Sequence, residues 1–132
     1  MEKIIMVVDD QKDERKLVRL LLRKYAVTVV EASNPVEAMK LARQQKPHLI
    51  LMDHVMPQMT GYEAVSALKQ DPELCRIPII MLSARKFDPE WGDFIRQSVE
   101  DFLPKPAQAD KLLARIQALL GALTVRLGNV PA

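Results

Sequence analysis

The chain has 132 residues, of which 48% are hydrophobic and 5% aromatic, values that fit one soluble domain with an aliphatic core. Its formal net charge of +2 is too small to indicate a nucleic-acid or membrane partner. The single cysteine excludes an internal disulfide, and no apolar run approaches the roughly 18 residues of a membrane span. We therefore expect a cytoplasmic protein.

Short apolar runs alternate along the chain with longer segments of helical period. The runs cover residues 4–8, 27–30, 49–52, 79–82 and 101–103. Continuous runs of isoleucine, valine and leucine are typical of strands that are covered on both faces, as in a parallel sheet. The runs therefore predict five strands.

The segments between and after these runs predict five helices. They lie at about residues 11–24, 35–45, 62–70, 89–98 and 108–120. The second helix has the clearest start, because Asn34 can cap it, Pro35 suits its first position and Glu37 can complete a capping box. Alternating strands and helices predict a doubly wound α/β domain with a five-stranded parallel sheet. We expect this domain to span residues 1–120, with 121–132 as a C-terminal tail or the start of a linker.

Polar residues stand where the predicted strands end. Asp9 and Asp10 follow the first run, Asp53 the third, Ser83 the fourth, and Lys105 comes shortly after the fifth. Sites in open parallel sheets form at the carboxyl ends of the strands, so we expect these side chains to converge. Converging carboxylates repel one another and favour a hard cation, and oxygen ligands suit Mg²⁺. One carboxylate could then attack phosphorus and form an aspartyl phosphate, with the hydroxyl and the ammonium contacting its oxygens.

These motifs together resemble the receiver domain of bacterial two-component response regulators, over about residues 3–120. They are Asp9-Asp10, Asp53 with Met56-Pro57 and Gly61, Ser83-Ala84, and Asp101-Phe102-Leu103-Pro104-Lys105-Pro106. The resemblance implies a flavodoxin-like (βα)5 fold. It also implies a domain that accepts a phosphoryl group from a sensor histidine kinase or phosphotransfer protein. Such a domain signals to a downstream effector or a fused output domain, without binding nucleic acid itself.

The resemblance also implies the acceptor and the metal ligands. Asp53 corresponds to the phosphoacceptor. Asp9, Asp10, Asp53 and the backbone carbonyl of Val55 correspond to the ligands of Mg²⁺. The protein would catalyse only its own phosphorylation and dephosphorylation, which makes it a signal transducer rather than an enzyme.

Two further residues correspond to the phosphate contacts and a third to the switch. Ser83 and Lys105 are expected to contact the phosphoryl group. Phe102 corresponds to the aromatic residue that moves inward with the Ser83 hydroxyl, which changes the face formed by the fourth predicted helix, the fifth strand and the fifth helix. Core packing is the alternative role for Phe102.

His54 and the basic pairs of the chain are not assigned to the site. Side chains alternate along a strand, so His54 should point away from the pocket that Asp53 enters and serve in packing or at the surface. Basic pairs such as Arg15-Lys16 are interpreted as the solvated face of a helix.

Alternative functions remain open at this point. A phosphohydrolase of the haloacid dehalogenase type would need a second acid two residues after the nucleophile, where Val55 stands. A pseudo-receiver would bind partners without phosphorylation, although the acceptor set is complete. The resemblance also implies charge pairs that join receiver dimers in the winged-helix branch, and these pairs are incomplete here, because only Asp101 and Arg115 are retained and each lacks its partner residue.

Overall fold

The computed structural model describes residues 2–54, 61–83, 97–105 and 107–127. Its elements in chain order are β1 (Lys3–Val8), α1 (Lys12–Leu22), β2 (Val27–Ala32), α2 (Pro35–Gln45), β3 (Leu49–Asp53), α3 (Gly61–Gln70), β4 (Ile79–Ser83), β5 (Asp101–Pro104) and α4 (Ala109–Leu120). The strands form one parallel sheet in the order β2-β1-β3-β4-β5. The predicted doubly wound, flavodoxin-like fold is confirmed.

The strands are slightly longer than the apolar runs. Pairing continues through Asp53, opposite Leu82, and through Ser83, opposite Pro104. Two of the predicted site residues are therefore the last residues of β3 and β4. The helix predicted at residues 89–98 lies outside the described residues except for Gln97 and Ser98, which are helical.

The start of α2 follows the sequence prediction with one difference. The Asn34 side chain accepts a hydrogen bond from the backbone N–H of Glu37 at 2.8 Å, which satisfies one of the unpaired donors at the helix start. The Glu37 carboxylate, however, accepts from the backbone N–H of Ser33 at 3.2 Å. The reciprocal bond of the capping box thus reaches one residue further back than predicted.

Alternate residues of the central strands face opposite sides of the sheet. On the α2–α3 face the strands contribute Met6, Val8, Ile50, Met52, Ile79 and Met81. On the α1–α4 face they contribute Ile5, Val7, Leu49, Leu51, Ile80, Leu82 and Leu103. Because both faces are covered, the strands carry unbroken apolar runs. The same alternation assigns Asp53 to the α1–α4 side and His54 to the α2–α3 side.

The segment after α4 turns back along the protein. Val125 forms an antiparallel bridge with Tyr25, just before β2. The Arg126 guanidinium donates to Glu2 at 2.7 Å and to the backbone oxygen of Val27 at 2.8 Å. Residues 124–126 thus lie against the start of β2, while the domain boundary at residue 120 stays a prediction. None of the helices in the described ranges is long and apolar enough to cross a membrane.

Candidate functional site

Three carboxylates meet at the carboxyl edge of the sheet. Oxygens of Asp9, Asp10 and Asp53 all lie within 4.8 Å of one another. The cause is the strand order, since β1 and β3 are neighbours and Val8 pairs with Met52 immediately before Asp9 and Asp53. Asp9 and Asp53 are buried, whereas Asp10 is exposed to solvent. The structure therefore brings these three predicted residues together.

Lys105 lies between two of these carboxylates. Its Nζ is 2.7 Å from Oδ2 of Asp9 and 3.4 Å from Oδ1 of Asp53. The backbone N–H of Lys105 donates to the carbonyl of Ser83 at 2.8 Å, which extends the pairing between β4 and β5 by one residue. The sequence predicts that this lysine joins the site, but its shorter contact with Asp9 was not predicted.

The charge state of Lys105 follows from two opposing effects. Burial by itself lowers the pKa of the ammonium, because it disfavours the charged form. The hydrogen bond to Asp9 and the negative charges of Asp53, Asp9 and Glu14 outweigh burial and raise the pKa above its usual value. Lys105 is therefore a cation at neutral pH.

Ser83 and Phe102 occupy different positions on the neighbouring strands β4 and β5. Ser83, the last residue of β4, is buried. Phe102 is half-buried and packs against the apolar cluster of the α2–α3 face, which fits its alternative role in core packing. The switch role of both residues stays a prediction. Val55, whose carbonyl is a predicted metal ligand, lies outside the described residues.

Asp9 is held at several atoms. Its backbone N–H donates to the carbonyl of Ala32 at 3.1 Å, and its Oδ1 accepts from the backbone N–H of Gln11 at 2.9 Å. Its backbone oxygen accepts from Nη1 of Arg15 at 2.7 Å. Contacts from β2, from the start of α1 and from Lys105 thus fix the carboxylate that lies deepest in the cluster.

Arg15 is the site residue that sequence reasoning missed. Its side chain is only 15% exposed, so its assignment to a solvated helix face is wrong, although Lys16 is exposed as expected. The signal in the sequence is its place near the start of the first predicted helix, six residues after Asp9. That signal is weak because basic residues on the first helix are common.

His54 packs on the opposite side of the sheet from Asp53. It is 8% exposed, and its ring meets that of Tyr62 edge-on, with centroids 4.5 Å apart and an interplanar angle of 63°. Its backbone N–H donates to the carbonyl of Leu82 at 2.9 Å. The expected packing role agrees with this position.

We therefore expect His54→Leu to leave phosphoryl uptake and Mg²⁺ affinity close to those of the wild type. The substitution removes an aromatic pair, so the free energy of unfolding should fall by about 0.5–1.5 kcal/mol. Urea unfolding and metal titration of the same sample measure both quantities. Loss of metal binding in a folded His54→Leu protein would contradict this assignment.

The donor set fits Mg²⁺. All three clustered groups are carboxylates, and oxygen ligands of this kind are those that a small hard cation prefers. One ammonium does not balance three carboxylates, so the cluster is negative overall and attracts a cation. No histidine or cysteine belongs to this cluster within the described part of the chain.

Asp101 and Arg115, the two retained members of the dimer charge pairs, form an ion pair with each other. Nη1 of Arg115 on α4 lies 2.9 Å from Oδ2 of Asp101 on β5. This pair lies within one chain and is partly exposed, so it contributes little stability. It engages both groups without a second copy of the protein.

Comparisons with known proteins identify the class. Residues 5–117 match the model of the response regulator receiver domain, and the chain belongs to this family. Receiver domains are signalling modules of two-component systems, and they interact with histidine kinases and effectors.

Individual relatives cover most of the chain. It is 37% identical to protein PilH of Pseudomonas aeruginosa over 118 residues, which span 88% of this chain and 96% of PilH. It is 32% identical to the polar-differentiation response regulator DivK of Brucella anthropi over 121 residues, which span 92% of this chain and 98% of DivK. The structure of the chemotaxis protein CheY4 of Vibrio cholerae is similar, with a TM-score of 0.81 at 28% identity, covering 90% of this chain and 99% of CheY4.

Proposed function

We propose that this protein accepts a phosphoryl group on Asp53 from a sensor histidine kinase or a phosphotransfer protein, in a Mg²⁺-dependent reaction. One observation carries the proposal: the Asp53 carboxylate lies beside the Lys105 ammonium and within 4.8 Å of two further carboxylates. The proposed nucleophile, the proposed cationic contact for phosphoryl oxygens and the proposed metal ligands thus lie at one edge of the sheet.

The chemical step is an in-line displacement at phosphorus. An oxygen of Asp53 forms the new P–O bond while the P–N bond of the donor phosphohistidine breaks. The bonding electron pair stays on the imidazole nitrogen, and the ring leaves as neutral histidine when its other nitrogen carries a proton. The product is an aspartyl phosphate, and attack by water on its phosphorus regenerates Asp53 and releases phosphate.

The surrounding groups act by position and charge. The Lys105 ammonium is placed to contact a phosphoryl oxygen, and the Ser83 hydroxyl is the proposed second contact. Asp9, Asp10 and Asp53 would hold Mg²⁺, with the backbone carbonyl of Val55 as a further proposed ligand. When bound, Mg²⁺ supplies positive charge that offsets the repulsion between carboxylates and incoming phosphoryl oxygens.

The output is proposed to be a change of shape. The added phosphoryl charge would draw the Ser83 hydroxyl toward Asp53 and let Phe102 move inward. The face formed by the segment before β5, by β5 and by α4 would then present a different surface to an effector or an output domain. Phe102 is half-buried, so an inward movement would bury more of its ring. The cytoplasmic location stays a prediction.

Labelling with a small phosphodonor tests the proposal. Incubation of the protein with acetyl phosphate and Mg²⁺ should add one phosphoryl group, detected by intact-mass analysis, and the adduct should be labile in acid and in base. Removal of the metal with EDTA should reduce labelling to background, and added Mg²⁺ should restore it.

Two results would contradict this expectation. A wild-type protein that takes up no phosphoryl group would favour a pseudo-receiver that works by binding alone. Equal labelling with and without EDTA would remove the metal from the mechanism.

A further inference from the structure

A half-buried arginine side chain on α1 binds the backbone next to the proposed metal site. Nη1 of Arg15 donates to the carbonyl oxygen of Asp9 at 2.7 Å, and Nε donates to Oε1 of Glu31 on β2 at 3.1 Å. The guanidinium group is planar and rigid, so two bonds from the same group fix its orientation. Glu31 thus orients Arg15, and Arg15 holds the Asp9 carbonyl.

The Asp9 carbonyl belongs to the peptide that leads into Asp10. A peptide unit is planar, so the direction of the Asp9 carbonyl also sets the direction of the following N–Cα bond. Asp10 itself is exposed, in contrast to the buried carboxylates of Asp9 and Asp53. Few neighbours constrain the exposed Asp10 side chain. A contact that fixes the Asp9–Asp10 peptide therefore helps to set the position of the Asp10 carboxylate.

Arg19 provides a matched comparison on the same helix. It also pairs with Glu31, through Oε2, but its side chain is 55% exposed and its described hydrogen bond goes to Glu31 alone. Arg15 and Arg19 therefore share a charge and a partner, and they differ in the contact with the Asp9 carbonyl.

We propose that Arg15, oriented by Glu31, is a positioning residue that fixes the Asp9–Asp10 peptide and thereby the geometry of the metal site. The inference rests on the proposed function for the identity of the ligand, Mg²⁺. Its mechanism is orientation and not charge, since a positive group near the site opposes the binding of a cation.

Titration of the protein with Mg²⁺, followed by backbone amide chemical shifts, tests the proposal. Arg15→Met should weaken Mg²⁺ binding about ten-fold, as expected for a group that orients a metal ligand. Arg15→Lys keeps the charge but loses the rigid pair of donors, so its Mg²⁺ affinity should lie between that of the wild type and that of Arg15→Met. Arg19→Met should stay within about two-fold of the wild type, as for an exposed ion pair.

The direction of the change in Mg²⁺ affinity distinguishes a role of Arg15 in orientation from an effect of its charge. Both methionine variants lose one positive charge, which alone would tighten Mg²⁺ binding, and both lose a partner of Glu31, which urea unfolding would register. Only positioning predicts weaker binding for Arg15→Met alone. Should that protein not fold, Arg15→Lys provides the comparison, because it keeps the positive charge and weaker Mg²⁺ binding is still expected from the loss of the rigid pair of donors.

Several outcomes would overturn the inference. They are Mg²⁺ affinity unchanged or higher in a folded Arg15→Met, an equal loss in Arg19→Met, or no Mg²⁺ binding by the wild type. The last result would also remove the metal from the proposed function. Wild-type Mg²⁺ binding without phosphoryl uptake would overturn only the proposed function, and the role of Arg15 would still be decided by the titrations.

Discussion

Asp53→Asn is expected to take up no phosphoryl group from acetyl phosphate under conditions that label the wild type fully. An amide oxygen is a far weaker nucleophile than a carboxylate, so the rate should fall by at least about 10³-fold. The fold should persist, because Lys105 keeps its shorter contact with Asp9 and one of three mutually repelling charges is removed. Intact-mass analysis measures labelling, and urea unfolding confirms that the variant is folded.

A second carboxylate away from the site provides the control. Asp110 is an exposed residue in the first turn of α4, and Asp110→Asn should label like the wild type. A base-labile adduct of unchanged amount on Asp53→Asn would show that another residue is the acceptor. Peptide mapping of the labelled wild-type protein would then identify that residue.

Lys105→Met is expected to change metal binding and phosphoryl uptake in opposite directions. Loss of a cationic contact to the transferring group should slow labelling by roughly 10²–10³-fold. Mg²⁺ affinity should rise, because in the wild type the Lys105 ammonium competes with the metal for Asp9. Two unit charges about 4 Å apart interact by about 1 kcal/mol at the dielectric constant of water, and Mg²⁺ carries two charges, so we expect a gain of at least about five-fold in affinity.

The control for this variant is a lysine that carries the same charge far from the cluster. Lys40 is exposed on α2, and Lys40→Met should alter neither quantity measurably. Labelling of Lys105→Met at the wild-type rate would exclude the ammonium from the reaction. Weaker Mg²⁺ binding in Lys105→Met would show that Lys105 contributes more to the positions of the carboxylates than it competes with the metal.

Local features of the sequence account for most of the fold. Unbroken apolar runs predict strands covered on both faces, and Asn34 with Pro35 marks the start of α2 before any contact is known. These signals are readable because they depend on the period of a single element and on the chemistry of its ends. The ends of β3 and β4 are harder to predict, because Asp53 and Ser83 are polar and belong to the strands only through their pairing with the neighbouring strands.

The sequence by itself predicted that acids, a hydroxyl and a lysine at strand ends would meet at one edge of a parallel sheet, but it did not predict Arg15. The tertiary structure decided how these groups meet. Lys105 lies closer to Asp9 than to Asp53, and Arg15 turns inward to the Asp9 carbonyl because Glu31 on β2 lies beside β1. Such contacts join residues far apart in the chain, and they depend on strand order and on the packing of α1, which no local period encodes.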